Sequence, residues 1–416
     1  MSEVISKKDG RYPALKSLDF RYFWFGQFVS NIGTQMQIVA LNWHIYVMTG
    51  SAIALGIIGL SRFIPVAIFA TIGGSFADVH NRKHLQLVTQ TLMALLSFVL
   101  AATTFMHTVS PFIIYTVTVL MAVITSFDLP ARQALIPNLV DKQHLPSAMS
   151  LNFIMFQTSI ILGPALAGFL IGGSGVGLIY LLNAISFISV IISILLLKND
   201  GEPEGEKSTV SWAAIVEGLK FVRSKTLIWS TMLLDFFAGV FAAATVIMPI
   251  FAKEVLKVGP QGLGFLYAAP SVGAVLAGMY MAHTGTIKKQ GVVLLTSVAI
   301  FGLATIAFGL SKNFMLSLLF LSFVGAGDSV STVIRNVIRN IETPDYIRGR
   351  MTSINMIFFM GGPQLGEFEA GLVAAAVGGP LSVVLGGVGT LVVVGATTVL
   401  VPTLRNYTNH EDHRTS

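Results

Sequence analysis

The sequence predicts an all-α membrane protein with twelve transmembrane helices arranged as two pseudo-symmetric six-helix bundles. Three observations predict it. Hydrophobic residues make up 54% of the 416 residues and charged residues only 11%, against roughly 25% charged in an average soluble domain. Twelve apolar runs recur along the chain, each near the ~20 residues a helix needs to cross the hydrocarbon core. Matching residues also recur between the two halves at a nearly constant offset.

A soluble protein of this size needs a polar coat, and this composition cannot supply one. A bilayer removes the need, because helices satisfy their own backbone and present apolar side chains to lipid. The 40 glycines suit close helix–helix approach, which replaces the hydrophobic effect as the packing device in lipid. With no cysteine, disulfides, zinc–thiolate sites, iron–sulfur ligation and cysteine nucleophiles are excluded. The net charge is +6. Its basic residues are scattered among loops and form no groove-sized patch, so nucleic acid is not an expected partner.

The apolar runs are 20–48, 52–77, 84–107, 111–130, 147–171 and 177–197, then 227–251, 261–284, 290–310, 313–334, 351–376 and 380–403. Short turns rich in Gly, Pro or Ser, such as Met48–Ser51, Gly172–Gly177 and Gly378–Pro380, imply antiparallel neighbours. With the N-terminus inside, 22 of the 26 Lys and Arg residues fall in cytoplasmic segments. Three fall outside, Lys253, Lys257 and Lys312, and Arg62 lies within a span. The positive-inside bias therefore predicts both termini in the cytoplasm. The polar N-terminus up to Lys16 has no apolar core or cleavage site, so it is not a signal peptide.

The long polar break at Lys198–Thr226 divides the chain into a first bundle, 1–197, a cytoplasmic linker, 198–226, and a second bundle, 227–416. Within the break, Glu202 to Lys207 reads as a flexible stretch. Trp212, Ile215, Val216, Leu219 and Val222 follow at helical spacing and read as an amphipathic helix on the inner surface. A shift of 203 carries Leu162, Gly163, Ala167 and Gly168 onto Leu365, Gly366, Ala370 and Gly371. It also carries Arg132 onto Arg335 and Asn152 onto Asn355, and a shift of 205 carries Pro65 onto Pro270 and Lys83 onto Lys288. Parallel repeats of this kind are one architecture of secondary transporters.

Between spans two and three runs Gly74-Ser75-Phe76-Ala77-Asp78-Val79-His80-Asn81-Arg82-Lys83. A Gly at a helix end, an Asp and an Arg-Lys pair in a tight turn can act as a latch that forms in one conformation only. A solvated turn carrying positive-inside charge explains the same residues. This segment resembles the signature of the major facilitator superfamily, Gly-x-Leu-Ala-Asp-Arg-x-Gly-Arg-Arg/Lys, in Gly74, Ala77, Asp78, Arg82 and Lys83, and departs at Phe76, Val79 and Asn81. Three further stretches look like the branch that includes bacterial enterobactin exporters. They are Asp128 to Ala134 with Pro137, Leu139 and Val140; Leu234-Asp235-Phe236-Phe237; and Gln364 to Gly371. The resemblance implies the superfamily's fold and alternating access by two rocking bundles around a central cavity. Many members couple to a proton gradient. Gly163-Pro164-Ala165-Leu166-Ala167-Gly168 in span five resembles the antiporter signature of drug exporters, with Ala167 in place of a Gly. Ordinary membrane packing also accounts for Gly163, Pro164 and Gly168.

Ionisable groups inside spans cost at least ~2.5–3.5 kcal/mol each, so they face a cavity or a partner. Arg62, Asp235, Glu367 and Glu369 are therefore the candidate coupling or substrate-cavity residues. Glu367 and Glu369 point about 200° apart on a helix, so only one can face a given cavity fully. A structural ion pair, for instance with Arg62, is the plainer role for one of these carboxylates. Asp128 with Arg132, and Asp328 with Arg335, share helical faces at the inner ends of spans four and ten. With Gly74, Asp78, Arg82 and Lys83 they form the candidate cytoplasmic gate, with juxtamembrane anchoring as the alternative. Span four has no Arg between Phe112 and Phe127, unlike many proton-coupled relatives. His44, Trp24, Phe25, Trp43 and Tyr46 could line a cavity or sit at the interface.

No phosphate loop and no metal-ligand spacing occurs, so no cofactor or metal is expected. No nucleophile–base set appears in the spans, so no enzyme activity is expected. The reading is a secondary active transporter of the bacterial inner membrane. It exports an amphipathic small molecule, of the siderophore or hydrophobic-drug class, by alternating access and proton antiport. Its partners are substrate, protons and the lipid bilayer, and it acts as a monomer. The alternatives are a lipid or lysolipid flippase of the same fold, and a non-transporting receptor or sensor.

Overall fold

The computed structural model describes residues 12–202, 212–241, 244–284 and 287–408. Among them there is no strand. The first half comprises α1 (Leu18–Thr49), α2 (Ala52–Val79), α3 (Arg82–Phe105), α4 (Pro111–Leu135), α5 (Leu145–Ser174) and α6 (Val176–Leu195). The short α7 (Trp212–Ser224) follows. The second half comprises α8 (Thr226–Phe241), α9 (Met248–Ile250), α10 (Gly259–Thr284), α11 (Gln290–Leu310), α12 (Phe314–Glu342), α13 (Arg348–Val377), α14 (Gly379–Leu400) and α15 (Pro402–Arg405). Among the described residues, ten segments are long and apolar enough to cross a membrane. Helices α1 and α13, of 32 and 30 residues, are long enough but more polar. Gln27, Asn31, Gln37 and Asn42 lie in the first, and Asn355, Gln364, Glu367 and Glu369 in the second.

Local sequence sets the helix ends. Ser110 and Asn313 cap α4 and α12 by accepting from Ile113 and Leu316 backbone N–H groups at 3.4 and 3.1 Å, which satisfies donors that a helix start leaves open. Gly175 and Gly378 end α5 and α13 at φ of +79° and +89°, a left-handed region that favours glycine. These two turns are 203 residues apart, the same offset that relates the halves by sequence.

Span seven departs from the expected single helix over 227–251. Helix α8 is described to Phe241, and from Ala244 the chain follows a 3-10 turn at Ala244–Ile247, the short α9 and a π-turn at Phe251–Val255. Pro249 has no N–H for the helical ladder, which favours an irregular path there.

The chain forms two compact units: Met1–Leu41 with Ile64–Thr209, and Asn42–Phe63 with Val210–Ser416. The division runs through α1 and α2, so residues 42–63 group with the second half. In the first unit, Phe20, Phe23, Leu135, Ile136, Val190 and Ile194 form an apolar core. A close backbone contact ties α2 to α4, since a Cβ on Gly73 would meet the Ser126 carbonyl. In the second unit, α10 and α12 meet in the same way: Gly325 lies against the Pro270 carbonyl and Gly273 against that of Ser322. Small residues here let helix backbones touch.

Helix α7 docks on the second unit. Its Val222 joins Ile228, Met232, Met351 and Ile354, and Glu217 pairs with Arg350 at 2.5 Å. Its Val216 and Leu219 stay exposed. The side chains of Trp212 and Ile215, and residues 203–211 of the expected linker, lie outside the described residues. At the far end, Tyr407 donates to Glu342 at 3.0 Å. Burial and then that carboxylate push its phenol up to about 12.

Candidate functional site: charges inside the second unit

The second unit gathers four charged side chains among α8 and α12. Arg335 is fully buried, at 1% exposure. It lies 2.9 Å from the Asp235 carboxylate and 3.7 Å from that of Asp328, and it donates to Thr332 at 2.8 Å. Arg339, one turn on, lies 3.9 Å from Asp235. It donates to Asn336 at 3.0 Å, to the Arg335 carbonyl at 3.1 Å and to Asn355. Two guanidiniums thus face two carboxyl groups. Asp328 and Arg335, expected in the cytoplasmic gate, share one ion-pair network with Asp235, expected in the cavity. Arg339 was missed by sequence reasoning. Its signal was present, because it follows Arg335 by four residues and so lies on the same helical face.

A cavity of about 170 Å³ opens beside this cluster, with Asp235, Asp328, Ser331, Arg335, Phe301 and Phe359 among its lining residues. The Asp235 Oδ2, Ser331 Oγ and Arg335 Nε have no hydrogen-bond partner among the described residues. Buried polar atoms are usually satisfied, so this concentration marks a place built for something other than packing.

A second charged pair joins α2 to α13 within the same unit. Arg62 lies 3.7 Å from Glu367. The approach is close: Gly59 sits against the Glu367 side chain, and Gly56 against Gly371 at 3.2 Å from its would-be Cβ. Nearby, Asn42 donates to Tyr267 at 2.8 Å, and Tyr46 donates to Glu254. Arg62 Nη2 and Glu367 Oε2 have no hydrogen-bond partner among the described residues. Glu369 is partly buried on the same helix and is not part of this pair.

The first unit handles its polar groups differently. Asp128 is buried, and its Oδ1 accepts from Thr89 at 2.7 Å and Gln90 at 2.9 Å. Arg132 donates to Gln27 at 3.1 Å. The two gate residues four apart on α4 therefore turn to different helices. Gln37, Ser97 and Asn183 form a neutral network, with Gln37 Oε1 accepting from Ser97 at 3.0 Å and from Asn183 at 2.7 Å. That network was legible only as amides inside apolar runs. Gly163 packs against Gln35 of α1, and Pro164 and Gly168 are buried in α5.

In the turn between α2 and α3, Arg82 donates to the Ala134 carbonyl at 3.0 Å and Lys83 to the Leu197 carbonyl at 2.7 Å. Both carbonyls sit at helix C-termini, where cations are favoured. Asn81 caps α3, and its Nδ2 reaches the Asp200 carbonyl at 2.7 Å. Gly74 meets nothing that a Cβ would touch. It is Gly73 that makes the helix contact. The side chain of Asp78 lies outside the described residues.

A bundle of long apolar helices with charged pairs inside them fits a major facilitator transporter. The chain belongs to the major facilitator family described as transmembrane secretion effector, whose model matches residues 10–415. Among similar proteins, the staphyloferrin A transporter of Staphylococcus aureus is 23% identical over 81% of this chain and 85% of its own. The multidrug efflux pump Tap of Mycolicibacterium fortuitum is 24% identical over 85% and 88%. The enterobactin exporter EntS of Salmonella typhi is 23% identical over 92% of both chains. A bacterial homologue of the lysosomal transporter Spinster, solved facing inward, superimposes with a TM-score of 0.71 at 14% identity. That match covers 95% of this chain and 96% of the other. The chain is therefore a multi-pass membrane transporter and not an enzyme.

Proposed function

We propose that this transporter exports an amphipathic small molecule, of the siderophore or hydrophobic-drug class, by alternating access coupled to proton entry. Helices α1 and α13 complete twelve spans, both termini face the cytoplasm of a bacterial inner membrane, and the working unit is a monomer. The relatives described as an exporter and an efflux pump support the direction. The observation that carries the coupling is the pairing of Asp235 with Arg335 and of Glu367 with Arg62 inside apolar helices. A membrane-embedded carboxylate paired with a guanidinium can accept a proton and release its partner, which changes which contacts hold a conformation. In this reading the Gly74–Lys83 segment, with Asp128, Arg132, Asp328 and Arg335, closes the cytoplasmic side.

The test is uptake of a fluorescent drug into inverted membrane vesicles with an imposed proton gradient. Glu367→Gln and Asp235→Asn are each expected to abolish the gradient dependence. Unchanged uptake and gradient dependence in both variants would refute proton coupling through these carboxylates.

A further inference from the structure

We infer that the cavity beside Asp328 is a specificity pocket for the amine-bearing end of the transported molecule, with Asp328 as its anchoring carboxylate. This rests on the transporter reading above and narrows its substrate class.

The first argument is the state of each charge. Arg335 and Arg339 are already engaged by Asp235, Thr332, Asn336 and Asn355. Arg335 and Arg339 are also only 1% and 3% exposed, so neither presents a guanidinium face to a ligand. Asp328 is in the opposite state. Its side chain is 60% exposed, and its nearest guanidinium atom is 3.7 Å away. The charge available to a ligand is therefore negative. An anionic head group would meet that carboxylate head-on, whereas an ammonium would pair with it.

The second argument is the rest of the lining. Phe301 and Phe359 border the same cavity, and aromatic faces attract cations. The volume of about 170 Å³ admits a head group. It does not admit a whole drug-sized molecule, for which pockets run to roughly 300–1,000 Å³. The apolar remainder of the ligand would extend beyond it.

The test uses three fluorescent probes with one dansyl–alkyl tail and different heads: an amino alcohol, the corresponding diol, and a carboxylate. Binding is measured on the purified full-length chain in detergent, with no gradient. The amino-alcohol probe is expected to bind ~10-fold or more tightly than the diol, as for a hydrogen bond to a charged group, with the carboxylate weakest. Asp328→Asn should reduce the amine preference to within about threefold, and Asp328→Glu should keep most of it. Strongest binding by the carboxylate, no binding by any probe, or a preference that survives Asp328→Asn would overturn the assignment. The ranking on the unaltered protein needs no variant to fold. Because no gradient is present, failure of the pocket is separable from failure of proton-driven transport.

Discussion

The two units descend from one pattern and satisfy it with different chemistry. At the repeat-related positions Arg132 and Arg335, the first arginine donates to the amide of Gln27 and the second pairs with the carboxyl group of Asp235. The offset of 203 also places Ser331 where the first unit has Asp128. The first unit's carboxylate is held by two neutral donors from α3, while the second unit's carboxylates share a guanidinium. Glu367 stands where the first half has Pro164, and it faces Arg62. In the first unit each of these charged groups is held by uncharged partners. Ion pairs in a low-dielectric interior change greatly when one partner is neutralised. The second unit therefore holds the elements that a proton or a charged ligand could switch.

The largest effect that would break this contrast is at Asp235. Asp235→Leu leaves Arg339 buried without a carboxylate and Arg335 with only the more distant Asp328, and should cost ~3–5 kcal/mol. Gln27→Leu, its counterpart, removes one neutral acceptor and should cost ~1–3 kcal/mol. Thermal unfolding in detergent reads both, and equal losses would erase the distinction between the units.

A smaller effect tests whether Arg62 and Glu367 act as a pair. Arg62→Met and Glu367→Leu should each destabilise, while the double variant should lose less than the two losses combined. The coupling expected for groups in direct contact is ~0.5–3 kcal/mol. Additive losses would mean that each charge has another partner.

The smallest effect is at Asp128. Thr89 and Gln90 both address one oxygen, Oδ1, and an asparagine keeps that oxygen. Asp128→Asn should therefore shift stability by less than ~1 kcal/mol, read by thermal unfolding in detergent. A larger loss would show that the first unit also depends on charge.

Much of this was legible in the sequence. Arg62, Asp235 and Glu367 were conspicuous because an apolar helix does not tolerate an ionised group without a partner, and the structure gives each of them an oppositely charged neighbour. The possible pairing of Arg62 with a carboxylate was visible as a charge balance. Other assignments were not legible. Spacing put Asp128 with Arg132 on one face, but their partners come from α3 and α1. Spacing also separated Asp328 and Arg335 from Asp235, which lies on another helix. The close contact at Gly73, and the 3-10 and π turns in span seven, likewise left no clear mark on the apolar pattern.

The sequence by itself determined that the chain crosses a membrane many times, repeats itself at an offset of 203, and carries a few charges inside its spans. Those properties are sums over neighbouring residues or matches along one chain, so hydropathy and alignment of the halves suffice to read them. Only the tertiary structure decided which charges meet, which amides close a neutral network, and which carboxylate stays exposed. Partner choice depends on how helices distant in sequence rotate and pack. An ion pair changes character over an ångström or two, as the 2.9 and 3.7 Å distances from Arg335 to Asp235 and Asp328 show.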